Sequence, residues 1–469
     1  MLIKQIFCFL VVSLVTLVVN AQDIKVSEAI DISREVDYRL IEQYKDTLLM
    51  YRRTRTTYAV EAFDTSLTSV WKKELDFDRQ IRPIMLVSTK KDFTIIYYYY
   101  QKGNAIVRAR KFNSRANMIS DAEVTVFSNR PTIRPYQVVL SDNKKYLNIY
   151  TVNFEGDMQL ALYNIHTEDQ VWKKNLALIE DNYYKEYQEL LVNNKGETFL
   201  IFDKNNIRRK RENHHYLVYF INKSGQKQAY TIPFNDYLSY DVKFTYDELN
   251  NQLIAGGLYG ENSYHAQGLF YARTRLKKPA ILNVIPFEEE FMRSLTGEKR
   301  KKLEGVHNFV IQELILRRDG GVIVIGEQHF KYEYQSVNMF FPDDVQNQQA
   351  DYLYENMFVA SVHPNGEIHW KKTLFKSQSS ENDNAKNSSF FSFKTKSNIR
   401  LLYNDKIRWG TGIYEYIITG KGDIERNNIR KDTKHGVLTE FMKGIQVNGN
   451  QFLGTSERGT KLKIVRITY

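Results

Sequence analysis

The sequence predicts an all-β protein built as a β-propeller, because a strand–turn–strand motif recurs along the chain. The motif is clearest at Ala62–Leu75, and it returns in the segments that end at Leu176 and Leu374. Each copy has an alternating strand, a turn with Asp, Asn or Gly, and a strand that carries Trp, two lysines and a leucine. A supersecondary unit that recurs in this way is typical of repeat architectures.

Eight hairpins can be placed by their polar turns between apolar strands. The turns lie near Asp46, Asp92, Lys144, Lys195, Asn250, Gly320, Asn398 and Gly449. Their base spacing is about 50 residues, the length of a four-stranded blade, and two larger gaps indicate insertions. We therefore expect eight blades of four antiparallel strands, with seven as the alternative, and with loop and short-helix insertions.

Closure of the ring follows from the last unit, which reaches Tyr469 after about three strands. We expect the segment Asp23–Ile30 to supply its fourth strand, because closure removes exposed sheet edges. Residues 22–469 would then form one propeller domain.

The N-terminal segment has the pattern of an export signal. Lys4 precedes an apolar run from Ile6 to Val19, and small residues end at Ala21. The run is short for a membrane span, so we expect residues 1–21 to be removed and the mature chain to have no transmembrane span. The predicted location is the periplasm, the outer membrane surface or the extracellular space.

Composition limits the chemistry. The only cysteine, Cys8, lies in the expected signal, so disulfides, thiolate metal sites and cysteine nucleophiles are excluded from the mature chain. The formal net charge is +11, or +10 without Lys4, which favours an acidic partner. We expect an envelope protein or an anionic glycan as that partner, no nucleic acid, no cofactor, no metal, and a monomeric propeller.

The tryptophan motif at Ala62–Leu75 resembles the blade-docking motif of quinoprotein-like eight-bladed β-propellers. That group includes dehydrogenases and non-enzymatic outer-membrane assembly propellers. The resemblance implies that Trp71, Trp172 and Trp370 are structural and pack between neighbouring blades. The chain departs from the enzymes, which carry an adjacent cysteine pair beside the cofactor. The tracts VIVIGEQHFKYEYQ and NGEIHWKKTL also resemble secreted or periplasmic propellers of Bacteroidota that have no assigned activity.

Four long insertions indicate one functional face. Asp203–His214 and Lys331–Asp351 are expected between second and third strands, and Phe287–His307 and Ser377–Ser389 between blades. In a four-stranded blade these two kinds of connection open on the same side of the disc. Because loops on a rigid scaffold carry function, this side is the candidate binding surface.

The insertions contain the candidate partner-binding residues. Two basic clusters could hold an anionic partner, or they could be only solvated loops: Arg208, Arg209, Lys210, Arg211, and Lys299, Arg300, Lys301, Lys302. Phe340 and Phe341 could anchor a partner or fold back onto the disc. The segment Phe287–Leu295 has the spacing of an amphipathic helix that ends near Gly297.

No catalytic or metal-binding pattern is convincing, so no catalytic residue is predicted. His214 and His215 are adjacent and would point to opposite faces of a strand, and His363 and His369 lack a third ligand. All four are interpreted as surface residues. The acidic pairs Asp343–Asp344 and Glu288–Glu290 could hydrolyse a glycan only if the fold set their carboxylates at the required separation.

Three functions remain open. The first is a non-enzymatic envelope scaffold that binds a protein of an outer-membrane assembly or secretion complex. The second is a glycan-active lyase or hydrolase that uses the central channel. The third is an outer-membrane β-barrel, suggested by the many strands and the terminal Tyr469, although YRRTRTTY and IVRARKF would place charge on lipid-facing strands.

Overall fold

The computed structural model describes residues 22–128, 132–177, 183–234, 236–262, 264–275, 278–299, 302–335, 348–407, 412–431 and 437–469. The expected signal, residues 1–21, lies outside these ranges.

The described strands form eight separate antiparallel sheets, which confirms the predicted propeller. The first four blades follow the chain in order: β3 (Asp37–Tyr44), β4 (Thr47–Arg53), β5 (Tyr58–Phe63), β6 (Ser69–Glu74); β7 (Arg82–Ser88), β8 (Asp92–Gln101), β9 (Asn104–Asn113), β10 (Met118–Ser128); β11 (Thr132–Leu140), β12 (Tyr146–Asn153), β13 (Met158–Asn164), β14 (Asp169–Leu176); β15 (Tyr187–Val192), β16 (Thr198–Lys204), β17 (His215–Ile221), β18 (Lys227–Pro233).

The last four blades contain the larger insertions: β19 (Leu238–Asp247), β20 (Gln252–Gly260), β21 (Gly268–Thr274), β22 (Ile281–Pro286); β23 (Phe309–Leu316), β24 (Val322–Gln335), β25 (Gln348–Val362), β26 (Ile368–Leu374), with β27 (Gln378–Glu381) beside β25; β28 (Phe390–Lys394), β29 (Asn398–Asp405), β30 (Gly412–Thr419), β31 (Ile424–Lys431); β32 (Ile445–Asn448), β33 (Gln451–Arg458), β34 (Lys461–Thr468), completed by β1 (Asp23–Val26) and β2 (Ile30–Asp31). The described helices are α1 (Tyr183–Glu186), α2 (Glu289–Thr296) and the 3₁₀ turns Arg208–Asn213 and Phe441–Lys443.

Two alternative predictions, a seven-bladed ring and an outer-membrane barrel, are wrong. All eight predicted hairpins join the first and second strands of a blade, so the ring has eight blades and not seven. The strands form eight separate sheets, whereas an outer-membrane barrel would require one continuous closed sheet.

The N-terminal strand closes the ring as predicted. β1 pairs antiparallel with β34, and Ile24 lies opposite Ile467 while Val26 lies opposite Val465. The backbone N–H of Ser27 donates to the carbonyl of Ile464, and the N–H of Ile464 donates to Ser27 Oγ at 2.8 Å. The last blade is therefore held together by residues from both ends of the chain.

The apolar core is divided into layers between neighbouring blades. The layer that joins the last blade to the first contains Leu453 and Ile464 on one side and Leu48 and Met50 on the other, all fully buried. Burying a side chain of this size stabilises the fold by about 1.5–3 kcal/mol. Equivalent layers lie between the other neighbouring blades, so each sheet is packed on both faces.

The motif tryptophans lie on outermost strands and face the next blade. Trp370 on β26 is 8% exposed, and its Nε1 donates to the carbonyl of Gly420 in the following blade at 3.1 Å. Gly422 lies against the same ring, where a Cβ would come within 2.6 Å, and its φ of +87° also favours glycine. Trp172 packs near Gly225 in the same way. Trp71 is only half-buried, against the layer between the first two blades.

The strand order also sets the direction of the loops. Connections between the second and third strands, and between successive blades, leave the same side of the antiparallel sheets. Residues 205–214, 287–308, 336–347 and 375–389 are all connections of these two kinds. We call this side the insertion face. The predicted loop Lys331–Asp351 is shorter than expected, because its ends pair with each other and extend β24 and β25.

Ring closure predicts the effect of Ser27→Ala. The substitution removes the acceptor of the buried Ile464 N–H, so the free energy of unfolding should fall by about 1–3 kcal/mol. Urea unfolding followed by tryptophan fluorescence measures this change. Ser66→Ala, at an exposed turn, is the control and should change stability little. Equal stability of the two variants would contradict the proposed closure.

Trp370→Ala should lower the free energy of unfolding by about 3–5 kcal/mol, because it leaves a cavity between two blades. Trp71→Ala should have a smaller effect, because that ring is partly exposed in the structure. Comparison of the two urea midpoints is the measurement. A larger loss of stability for Trp71→Ala would show that the exposure of the ring does not determine how much each tryptophan stabilises the fold.

Candidate functional site

The first basic cluster forms a projecting turn on the insertion face. Residues 208–213 form a 3₁₀ helix between β16 and β17, and every residue from 207 to 213 is exposed. The side chains of Arg208, Arg209, Lys210 and Arg211 make no ion pair or hydrogen bond with another residue in the described part of the chain. The turn therefore carries four cations without an ion pair, and its net charge is +3 because it also contains the exposed Glu212.

The base of this turn is held by a buried histidine. His214 Nε2 lies 2.7 Å from Asp203 Oδ1, and His214 Nδ1 lies 2.6 Å from the carbonyl oxygen of Tyr237 in the next connection. A carbonyl oxygen only accepts, so Nδ1 carries a proton. The interpretation of His214 as a surface residue is wrong, because its side chain is fully buried beside Phe234 and Tyr216. It reaches these partners because residues 203–214 fold back on themselves.

Asn206 fixes the same turn to the neighbouring blade. Its Nδ2 donates to Asp203 Oδ2 at 2.7 Å and to the carbonyl of Ser239 at 2.9 Å. Its Oδ1 accepts from the backbone N–H of Ser239 at 3.1 Å. The exposed cations are therefore presented from a rigid base that spans two blades.

The second basic cluster follows α2 on the same face. Lys299 and Lys302 are exposed, and Arg300 and Lys301 lie outside the described residues. The predicted amphipathic helix is present, with Met292 and Leu295 buried and Gly297 in the left-handed conformation at its end. The helix is fixed to blade six, since Asn356 Nδ2 donates to the carbonyl of Leu295 at 2.8 Å.

The predicted aromatic anchors Phe340 and Phe341 lie outside the described residues. The strands on either side of them rise from the disc as a paired extension of β24 and β25. Residues 378–381 form β27, which adds to the other edge of β25.

A buried ion pair fixes the last insertion, and sequence reasoning missed it. Lys376 Nζ lies 2.7 Å from Glu327 Oε1, and both side chains are fully buried. Ser389 Oγ donates to Glu327 Oε2 at 2.6 Å, and Gln378 Nε2 donates to the carbonyl of Asn404 at 2.6 Å. Burial lowers the pKa of Lys376, while the nearby carboxylate of Glu327 acts in the opposite direction. Such a pair orders residues 375–389 because neither charge tolerates loss of its partner.

A polar crevice opens on the insertion face between the first two blades. It has a volume of about 700 Å³, and its lining includes two cations, Arg55 and Arg79, and two carboxylates, Glu74 and Asp76. The guanidinium of Arg79 lies 4.4 Å from the centre of the Tyr99 ring, a cation–π contact. The crevice offers both hydrogen-bond donors and acceptors with balanced charge.

Asp121 organises the adjoining part of this crevice. It accepts hydrogen bonds from Arg108 Nε at 2.7 Å, from Arg110 Nε at 2.7 Å and from the hydroxyl of Tyr97 at 2.9 Å. Burial tends to raise the pKa of Asp121, but these hydrogen bonds outweigh burial and lower the pKa below its ordinary value. No sequence pattern indicates this cluster, because its members come from three strands and meet only after pairing.

The described residues contain neither a metal-binding cluster nor a membrane-spanning helix. No three His, Cys, Asp or Glu side chains there are arranged to hold a metal ion. None of the helices in that part of the chain has the length and apolar composition needed to span a membrane. His363 and His369 meet across a hairpin, with ring centres 4.7 Å apart, and no third ligand joins them among the described residues.

No protein-family model matches the chain, and no curated protein sequence matches it. Among solved structures, the Dos1 propeller is 10% identical with a TM-score of 0.47, and the match covers 95% of each chain.

Two further structures have the same level of likeness. The polysaccharide lyase Uly1 is 10% identical with a TM-score of 0.41, covering 95% of this chain and 99% of its own. The β-propeller domain of the Trilobed protease from Pyrococcus furiosus is 10% identical with a TM-score of 0.37, covering 85% and 99%. At this identity the likeness does not extend to function.

Asp121→Asn should destabilise the protein in a pH-dependent way. The pKa of Asp121 is lowered in the folded state, so its carboxylate stabilises the fold above the unfolded pKa of about 4 and loses this effect as the pH falls. The variant should be less stable by about 1–3 kcal/mol at pH 7, and the difference should shrink below pH about 4.

Urea unfolding at several pH values measures this difference, with Asp46→Asn at an exposed turn as the control. A difference between Asp121→Asn and wild type that is constant with pH would contradict the assigned network.

Proposed function

We propose that the protein is an exported, non-enzymatic β-propeller whose insertion face binds an acidic protein of the cell envelope. The proposal rests on the four uncompensated cations of residues 208–211 and on the rigid base beneath them. Export itself is inferred from the sequence of residues 1–21.

The positive charge of this turn favours an acidic partner. Arginine and lysine side chains without internal partners are free to pair across an interface, and they also speed the approach of an acidic surface. The buried contacts of His214 and Asn206 fix the turn before binding, which reduces the entropy lost when the complex forms.

The shape of the cluster favours a protein over a glycan strand. The cations stand on a projecting turn in which all residues from 207 to 213 are exposed. A projecting turn of this kind can enter an acidic depression on another protein, whereas a polysaccharide strand is better held along a cleft.

The binding proposal predicts the effect of reversing the cluster. The variant with Arg208, Arg209, Lys210 and Arg211 all changed to Glu should bind at least about tenfold more weakly, and wild-type binding should weaken as salt rises. Native pull-down from envelope extract with quantitative mass spectrometry identifies the partner, and titration of that partner gives the change. Stability should change little, because all four side chains are exposed.

The matched control reverses four exposed lysines on the opposite face, in the turns that join first and second strands: Lys45, Lys90, Lys91 and Lys396. This variant has the same net charge as the first but should bind normally. Equal loss in both variants would show that overall charge, and not the insertion face, governs binding. Turnover of an anionic polysaccharide by the purified protein would contradict the non-enzymatic proposal.

A further inference from the structure

Blade six carries an arm that rises above the disc. β23 pairs with β24 only as far as Phe309 opposite Gln328, but β24 continues to Gln335, paired with β25 throughout. On the other side of β25, the strand β27 covers Asp351–Tyr354. The arm is therefore a three-stranded sheet in which β24 is an edge strand beyond Gln328.

The free edge of β24 exposes backbone groups. The N–H of His329 points away from β25 and donates to the carbonyl of Asn308 at 2.9 Å. Because N–H and C=O groups alternate between the two edges of an antiparallel strand, those of Lys331 and Glu333 point the same way. Neither residue has a backbone partner on that edge in the described part of the chain.

The side chains along this edge suit an added strand. Lys331 Nζ lies 2.5 Å from Glu333 Oε1 on one face, and both side chains are about half exposed. On the other face the rings of Phe330 and Tyr332 stack with centres 6.0 Å apart, and Tyr332 is 52% exposed. Aromatic rings at such positions contribute cross-strand contacts to a neighbouring strand.

This edge has little of the usual protection against strand addition. Proteins often block free edges with charged side chains, especially Lys, with a proline or with a bulge. Here the charge of Lys331 is paired with that of Glu333. The sequence from His329 to Gln335 contains no proline. The one register shift of this pairing comes before His329.

We propose that the edge formed by residues 329–333 receives an extended segment of the acidic envelope partner as an added β-strand. This inference rests on the proposed function, since the arm rises from the insertion face that carries Arg208–Arg211. An acidic segment complements the positive charge of Arg208–Arg211. A second copy of this chain fits less well, because two insertion faces with the same uncompensated cations would repel each other. Backbone pairing would supply affinity and the cations would select for acidity.

The test uses a fluorescein-labelled synthetic peptide of alternating Val and Glu, and fluorescence anisotropy with the full mature chain. Wild type should bind saturably. Glu333→Pro should weaken binding at least about tenfold, because proline removes an outward N–H while the pairing with β25 does not use that group.

Glu333→Ser is the matched control and should bind as wild type, since it keeps the backbone N–H. Circular dichroism and the thermal midpoint of Glu333→Pro should match wild type. Hydrogen exchange offers a second measurement that needs no variant. The amides of Lys331 and Glu333 should exchange fast in the free protein and slowly with peptide bound.

Three results would overturn the edge proposal: no saturable binding below about 1 mM peptide, equal binding by Glu333→Pro and wild type, or self-association that Glu333→Pro abolishes, which would place a second copy on the edge. The proposed function is judged separately with the native partner. If charge reversal at 208–211 abolishes capture while Glu333→Pro does not, the proposed function stands and the edge proposal falls. If neither variant affects capture, both fall.

Discussion

The structure depends on one pairing, that of the N-terminal strand with the last strand of the chain. Without Asp23–Val26 and Ile30–Asp31, the strand Lys461–Thr468 would expose an edge, and the eighth sheet would have three strands. Ile24 and Val26 of this strand pack on the layer between the seventh and eighth blades, and the layer that joins the last blade to the first contains Leu48, Met50, Leu453 and Ile464. Closure therefore joins residues more than four hundred positions apart and leaves no blade without a neighbour on either side.

This closed ring also determines where function can lie. Since every blade has the same strand order, every connection between second and third strands leaves the same side of the disc. The insertions differ in chemistry but share rigid bases, as the contacts of His214 and the buried pair of Lys376 and Glu327 demonstrate. A scaffold of this kind can vary its loops at little cost to the core.

Much of the fold was predictable because it depends on local patterns. The alternation of apolar residues and the polar turns placed all eight hairpins, and the missing strand of the last blade indicated closure. The spacing of Met292 and Leu295 indicated α2, and Gly297 marked its end. These signals lie within short windows of sequence, where periodicity is informative.

The detail of the sites was less predictable, because it depends on contacts between distant residues. Asp121 on β10 meets Arg108 and Arg110 on β9 only after the two strands pair, and the sequence shows three ordinary charged residues. His214 was misassigned for a related reason: its surroundings are created by the return of the chain at Tyr237. The free edge of β24 was hidden in a segment that the sequence indicated as a loop. The sequence predicts which face carries the charged residues, but the folded structure determines which of those residues lack an ion-pair partner.

We propose that one face of a closed ring is the binding surface. Amide hydrogen exchange of the mature protein, alone and with the partner recovered from the envelope, tests this proposal. We expect slower exchange in residues 205–214 and 329–333 on binding, and no change in the turns 45–46, 89–91 and 395–397 on the other side. Slower exchange in those three turns, with none in the insertions, would contradict it.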